Sequence, residues 1–231
     1  MSKNRTPEEP ERRYVSVSEL RAAQSDDGPV IEGSGAVFGQ EADLGYFTEV
    51  IEPGFFDSVL DDPDTCGLWN HDDDIPLGRL GNKTLELEQT DQALNYRIHI
   101  NVDDAEAMAK YAKVKRGDVT QSSFGFTVKS KNRGDDMDGD EWFLVGDKVI
   151  RRLKKNGCRK LYDVSPVTYP AYPTTSASAR SKVVELQSAG QNPDGQAPSP
   201  EDITQKAEAQ ARQRARARRL ELAEKSYPNL K

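Results

Sequence analysis

The segment VTQSSFGFTV, residues 119–128, decides the fold class of this chain. Its apolar and aromatic residues predict a strand that lies in the core of a β domain. Two serines and Gly125 stand among those aromatic residues, and a glycine inside a strand lets another stretch of backbone approach closely. Because side chains alternate along a strand, we expect Ser122 and Ser123 to face opposite sides of the sheet.

The segments around this strand predict further strands and few helices. Residues 103–116 have the signature of a helix, with an acidic start, apolar residues at helical spacing, basic residues in the last turn and a glycine stop. Residues 84–88 and 94–100 alternate apolar and polar residues on either side of a polar turn, which predicts a hairpin. A second short helix is expected at residues 55–60. Other strands are predicted at residues 14–17, 30–38, 47–51, 66–70, 141–145, 148–153 and 159–167.

Many short strands without regular strand and helix alternation indicate a mostly β domain with peripheral helices. We expect a closed or nearly closed barrel and not a doubly wound parallel sheet, which would need a helix after each strand. This domain is assigned to residues 14–181.

The two ends of the chain have the composition of non-globular segments. Residues 1–13 are rich in Glu, Pro and Arg and are predicted to be disordered. Residues 182–200 are rich in Gln, Gly, Asn, Pro and Ser, which is typical of a flexible linker. Residues 201–231 are predicted to form an Arg- and Ala-rich helical tail. Two roles stay open for it: an extension removed by self-cleavage in the linker, or a helix that docks on a partner.

The net charge of −7 is unevenly distributed. Residues 201–231 carry eight Lys/Arg against five Asp/Glu, while the rest carries 24 against 34, so the tail has a charge of +3 and the body −10. An acidic body repels phosphate backbones, which argues for protein partners and against nucleic acid outside the tail. No apolar run reaches membrane-spanning length and no secretory signal is present, so we expect a soluble intracellular protein.

Metal and disulfide chemistry have little support. Cys66 and Cys158 are the only cysteines, and neither belongs to a CxxC or Cys/His cluster. The acidic run at residues 135–141 has its glycine at the wrong position for an EF-hand and is interpreted as a solvated turn between strands. We therefore expect neither a metal nor a cofactor.

Two residues are candidates for nucleophilic chemistry. His71 follows a short apolar strand, where an imidazole can face a cleft as a general base, although a surface turn would give the same pattern. Ser123 needs such a base to become a nucleophile, and the backbone amides of Phe124 and Gly125 are candidate oxyanion donors. Gln121 stands two residues before Ser123, so this is not the Gly-x-Ser-x-Gly elbow of α/β hydrolases, and a strand serine alone is more often structural.

Five short motifs that follow one another in a fixed order carry a specific resemblance to a known family. They are GSGAVF at residues 33–38, VIEPGFF at 50–56, NHD at 70–72 with PLGR at 76–79, SFGF at 123–126, and LYDVSPV at 161–167 with PAYP at 170–173. Between residues 30 and 179 their order and spacing resemble the prohead serine protease family of tailed bacteriophages. The resemblance implies a β-barrel ringed by helices, similar to the herpesvirus assemblins. It also implies a peptidase that cuts scaffold protein, or the delta segment of the capsid protein, inside the immature head in the host cytoplasm.

The resemblance assigns roles to individual residues. Ser123 matches the serine of the family's Ser-x-Gly-Phe motif and His71 its histidine, as nucleophile and general base. Asp163 stands where the family has the Glu of Leu-x-Glu-Val-Ser, so it matches the carboxylate that orients the histidine, with a shorter reach. His99 is the alternative third member, because assemblins use a second histidine. Ser122 is the alternative nucleophile.

The same resemblance implies scaffold and major capsid proteins as partners, with the portal protein and a second copy of the chain as further candidates. Two other functions stay open. The first is a capsid-assembly module with a protease-like fold and no activity. The second is a β-barrel that binds nucleic acid through its Arg-rich tail.

Overall fold

The computed structural model describes residues 10–15, 20–169 and 177–190. These ranges contain thirteen strands and two α-helices, so the predicted mostly β character is confirmed. In chain order the strands are β1 (Glu11–Val15), β2 (Arg21–Ser25), β3 (Gly28–Val37), β4 (Ala42–Asp43), β5 (Thr48–Ile51), β6 (Cys66–Trp69), β7 (Asp72–Arg79), β8 (Leu85–Gln89), β9 (Ala93–His99), β10 (Gln121–Val128), β11 (Asp140–Val145), β12 (Lys148–Leu153) and β13 (Cys158–Val167). The helices are α1 (Ala105–Arg116) and α2 (Ala177–Gly190).

The described strands form three sheets. The first sheet has the order β1-β10-β13-β6-β7, the second β11-β12-β5-β4 and the third β2-β3-β9-β8. Only β12 with β5 and β13 with β6 are parallel among these pairs. The predicted hairpin is confirmed as β8 and β9, with Leu85 opposite Ile98.

The predicted barrel is wrong, because no backbone pairing among the described strands joins one sheet to another. The first and third sheets instead pack face to face at two glycines of β3. A Cβ on Gly33 would lie 2.9 Å from Ser122 Oγ, and a Cβ on Gly35 would lie 3.2 Å from Val164 Cγ1. A hydrogen bond of 2.8 Å between Tyr96 Oη and Ser122 Oγ also crosses this interface. Side-chain packing, and not a continuous backbone ladder, therefore joins the layers.

Helix α1 lies where the sequence predicts a helix. The carboxylate of Asp104 caps its start by accepting hydrogen bonds from the amides of Glu106 and Ala107. Gly117 ends it in the left-handed conformation, with φ of 84°. The buried face of the helix carries Tyr111, whose hydroxyl donates to the backbone carbonyl of Ala23 at 3.1 Å.

The helix expected at residues 55–60 is wrong. The segment is a series of turns whose hydrogen bonds join residues three apart, such as the amide of Val59 to the carbonyl of Phe56 at 2.9 Å. Its two consecutive aromatic residues, Phe55 and Phe56, are both fully buried and contact Phe126 and Phe124, with ring centroids 5.7 and 5.5 Å apart. The aromatic core thus forms where this turn segment packs on β10.

The structure differs from the sequence prediction at both ends of the domain. Strand β1 begins at Glu11, inside the segment predicted to be disordered, because long-range ion pairs hold it. Helix α2 continues past residue 181 into the predicted linker, where Val183 is buried in a cluster with Phe47 and Val149. The rest of that linker and the predicted helical tail at residues 201–231 lie outside the described residues.

A cluster of four buried charges and one half-buried carboxylate ties β1 to the second sheet. This ion cluster consists of Glu11, Arg13, Glu49, Asp140 and Arg151. Arg13 contacts Glu49 and Glu11, each at 2.6 Å, and Arg151 contacts Glu11 at 2.6 Å and Asp140 at 2.8 Å. Burial alone would raise the pKa of Glu11, but the charges of Arg151 and Arg13 outweigh burial and lower that pKa below its ordinary value. The ion cluster therefore keeps Glu11 in its charged form beside two guanidinium groups.

Replacing Arg151 with Met is expected to lower the free energy of unfolding by about 3–5 kcal/mol, because the buried Glu11 and Glu49 lose a shared cation. Urea denaturation of the purified full chain measures this change. The matched control is Arg152→Met in the next position, which breaks a half-exposed pair with Glu141 and should cost less than about 1 kcal/mol. Equal losses in the two variants would contradict the structural importance of the cluster.

Candidate active site

Ser123 lies on β10, which is paired by β1 on one side and β13 on the other. Its side chain and that of the adjacent Ser122 lie on opposite faces of the sheet, because successive strand residues alternate. Ser122 faces the third sheet and bonds Tyr96, whose hydroxyl stays protonated because burial raises its pKa. Ser123 lies on the face that carries His71 and Asp163.

His71 lies in the two-residue turn that joins β6 to β7. Trp69 pairs with Asp72 across this turn, and Asn70 and His71 have φ angles of 56° and 59°. Positive φ at both central residues is the geometry of a type I′ hairpin turn, which asparagine adopts readily. Asn70 holds the turn against the end of β13, because its side-chain oxygen accepts a hydrogen bond of 2.8 Å from the amide of Thr168.

Asp163 lies on β13, opposite Gly125 of β10. A Cβ at Gly125 would collide with Asp163 Oδ1, so only glycine leaves room for the carboxylate at this point of the sheet. This contact explains the glycine that interrupts the aromatic strand.

The three side chains form one line of hydrogen bonds. His71 Nε2 lies 2.6 Å from Ser123 Oγ, and His71 Nδ1 lies 2.5 Å from Asp163 Oδ2. Because a carboxylate oxygen accepts, Nδ1 carries the proton and Nε2 is left to accept from the serine hydroxyl. Ser165 Oγ donates to the same Asp163 oxygen at 2.5 Å and helps to fix the carboxylate.

The line is closed off from solvent. The exposed fractions of Ser123, His71 and Asp163 are 0%, 8% and 4%. In addition, Ser123 Oγ lies 2.8 Å from the backbone carbonyl oxygen of Arg13 in β1, to which it can donate its proton. A serine hydroxyl has one proton, so His71 and Arg13 are competing acceptors.

A model of the caudovirus prohead serine protease family matches residues 16–189. The chain belongs to this family. Membership implies a serine peptidase, which is the chemistry that a serine, a histidine and a carboxylate in hydrogen-bond contact can perform. No curated protein and no solved structure gives a significant match to this chain, so the likeness to assemblins stays a prediction.

His99, the alternative third member, lies away from this line of hydrogen bonds. It belongs to β9 in the third sheet, where its Nε2 lies 3.0 Å from Glu86 Oε1. Asp163 contacts His71 directly, and His99 does not belong to the same sheet. Of the two alternatives, the structure brings only Asp163 into contact with His71.

The two predicted oxyanion donors stay a prediction. Phe124 and Gly125 lie inside β10, opposite Arg13 and Arg12 of β1 and Val164 and Asp163 of β13. Successive residues of a strand point their amides to opposite neighbours, so these two amides face different strands. They can bind one oxygen together only if β10 changes its pairing.

Ser165 is a site residue that the sequence reasoning did not assign. It stands two residues after Asp163 on the same strand, so alternation puts both side chains on one face. That spacing is the signal by which it could have been found. The hydrogen bond from Ser123 Oγ to Arg13 could not have been found in this way, because the acceptor is a backbone carbonyl oxygen, which every residue has.

The cysteines and the acidic turn at residues 135–141 lie outside the site. Cys66 and Cys158 are both free, and burial raises the pKa of each thiol. In the acidic turn, Asp135 and Asp138 accept hydrogen bonds of 2.8 Å from backbone amides. Across the described ranges, no group of three or more His, Cys, Asp or Glu side chains is arranged to hold a metal ion. Neither described helix is long and apolar enough to cross a membrane.

Proposed function

We propose that this prohead protease is an endopeptidase in which Ser123 is the nucleophile, His71 the general base and Asp163 the carboxylate that orients His71. The observation that carries the proposal is the line of hydrogen bonds from Asp163 Oδ2 through both ring nitrogens of His71 to Ser123 Oγ. Family membership supports the same reaction class.

The reaction is acyl transfer to serine and then to water. Ser123 Oγ attacks the carbonyl carbon of the scissile peptide bond while His71 Nε2 takes the hydroxyl proton. Asp163 stabilises the imidazolium that forms, and His71 returns the proton to the leaving amine. Water then attacks the acyl-enzyme with His71 again as base, which releases the second product and restores Ser123.

The substrates that fit a prohead protease are the proteins that share the immature head with it. We propose the scaffold protein and the delta segment of the major capsid protein, and the chain itself, whose cut would fall in residues 182–200. The enzyme would then act inside the prohead in the host cytoplasm. The portal protein and a second copy of the chain are further proposed partners.

Co-expression tests this function. The wild-type chain or the Ser123→Ala chain is produced with the capsid and scaffold proteins of its own phage, and new termini are identified by mass spectrometry. We expect cuts with wild type that are absent with Ser123→Ala. Intact-mass measurement of the protease itself decides self-cleavage, since only wild type should lose its C-terminal segment.

The complete burial of Ser123 favours a second candidate, a capsid-assembly module without activity. The same experiment separates the two functions. Heads that assemble with the chain present, yet contain no cut that depends on Ser123, would favour the assembly module.

A further inference from the structure

Strand β1 lies along the edge of β10 beside the proposed nucleophile. The two strands are antiparallel, with Tyr14 opposite Ser123 and Arg13 opposite Phe124. β1 is the outermost strand of the first sheet, so β10 would become the edge if β1 left. An exposed strand edge binds an extended peptide through backbone hydrogen bonds, in the way that another strand of the same chain would.

With β1 in place, the nucleophile cannot meet a substrate. A reacting carbonyl carbon must come within about 3–3.5 Å of the serine oxygen. Ser123 has no exposed surface, and the carbonyl oxygen of Arg13 lies 2.8 Å from its Oγ. This oxygen also competes with His71 for the hydroxyl proton, so β1 both fills the space and weakens the activation of Ser123.

Charged side chains add to the backbone pairing with β10 that holds β1. Glu11 and Arg13 point into the ion cluster, and Arg13 also lies over the ring of Phe126 at 5.5 Å. Ion pairs regain water when they separate, so much of their attraction is offset by desolvation in the docked state. If β1 left, Arg151 would still contact Glu49 at 3.1 Å and Asp140 at 2.8 Å, so it would keep its partners.

We propose that β1 is an internal blocking strand, which occupies the edge of β10 where a substrate peptide binds and keeps the site closed until it is displaced. The inference rests on the proposed function of Ser123 and adds its regulation. The ligand of the vacated edge is an extended peptide segment that replaces β1 as the antiparallel neighbour of β10.

The test weakens β1 within the full chain. The double variant Glu11→Gln/Arg13→Gln removes both charges by which β1 enters the ion cluster. Labelling of Ser123 by a fluorophosphonate reports access to the nucleophile, and hydrogen exchange of residues 11–15 and 121–128 reports strand release independently of chemistry. We expect faster exchange in both segments and a labelling rate at least about tenfold above wild type, which corresponds to about 1.4 kcal/mol of docking energy.

The matched control, Arg21→Gln/Glu32→Gln, removes a pair of the same residue types outside the ion cluster and should label at the wild-type rate. A peptide with the sequence of residues 10–15, added to the double variant, should slow labelling again, while a scrambled peptide should not. If the double variant fails to fold, Arg13→Lys replaces it. Lysine keeps the charge but cannot bond both oxygens of Glu49, so a smaller rise in labelling is expected.

Two results would overturn the blocking strand. One is a wild-type chain that is labelled, and at the same rate as the double variant, although residues 11–15 exchange faster in the variant. The other is a cut between Arg13 and Tyr14 that depends on Ser123, since β1 would then be a substrate. Absence of labelling in every chain, with exchange rising as expected, would instead reject Ser123 as nucleophile and with it the proposed function.

Discussion

Replacing Ser123 with Ala is expected to lower kcat by about 10⁶-fold, with residual activity from binding alone. The reason is that the acyl-enzyme cannot form without the hydroxyl oxygen, and among the described residues Ser123 is the hydroxyl that contacts His71 Nε2. The measurement is single-turnover cleavage of a peptide that spans a processing site identified in co-expressed heads.

Replacing His71 with Ala in the same chain should add little to this loss, because the two residues act as one unit. Ser122→Ala is the matched control: it removes a neighbouring buried hydroxyl that bonds Tyr96 on the other face, and kcat should stay near the wild-type value. If the fold-losses in kcat of Ser123→Ala and His71→Ala multiplied in the double variant, the two residues would act independently. That result would contradict a proton transfer shared by both. A large loss in Ser122→Ala with activity kept in Ser123→Ala would move the nucleophile by one residue.

Replacing Asp163 with Asn is expected to lower kcat by about 10⁴-fold while the fold is kept. The amide has the size of the carboxylate, but its NH₂ group favours the tautomer with the proton on Nε2. His71 could then no longer accept the proton of Ser123, and no negative charge would stabilise the imidazolium. The kcat of the variant across pH, with circular dichroism as the check of folding, measures the effect.

His99→Asn is the control for this experiment, because it removes the second histidine and leaves the line of hydrogen bonds intact. Its kcat should be that of wild type. The reverse outcome, in which His99→Asn loses activity and Asp163→Asn keeps it, would show that the third member is the histidine expected from the likeness to assemblins.

The elements that the sequence predicts well are those encoded by neighbouring residues. The alternation of apolar and polar residues predicts β8 and β9, and the capping residues Asp104 and Gly117 predict where α1 begins and ends. In β10 the same local pattern separates Ser122 from Ser123. Each of these signals acts over a few residues, so it is readable before the chain folds.

The errors concern features that depend on distant contacts. The turns at residues 55–60 carry apolar residues at a density that suits a helix, but two consecutive phenylalanines are drawn into the core by β10. Strand β7 is not predicted, because acidic residues and Pro76 mark a loop, and it forms as an edge strand that tolerates proline. The separation into three sheets also depends on packing. Gly33 and Gly35 indicate that another part of the chain approaches β3 closely, but the sequence does not show that this part is Ser122 and Val164 of the first sheet.

For this chain, the sequence by itself determined the β-rich class, the family and the residues on which a serine peptidase mechanism could rest. Only the tertiary structure shows that the carboxylate of Asp163, 92 positions from His71, lies 2.5 Å from its Nδ1, while His99 contacts Glu86 in another sheet. It also decided that β1 covers Ser123, 110 positions from Arg13. The physical reason is that strand propensity and side-chain chemistry are local, whereas the partner of a strand edge and the neighbour of an imidazole are set by how the whole core packs.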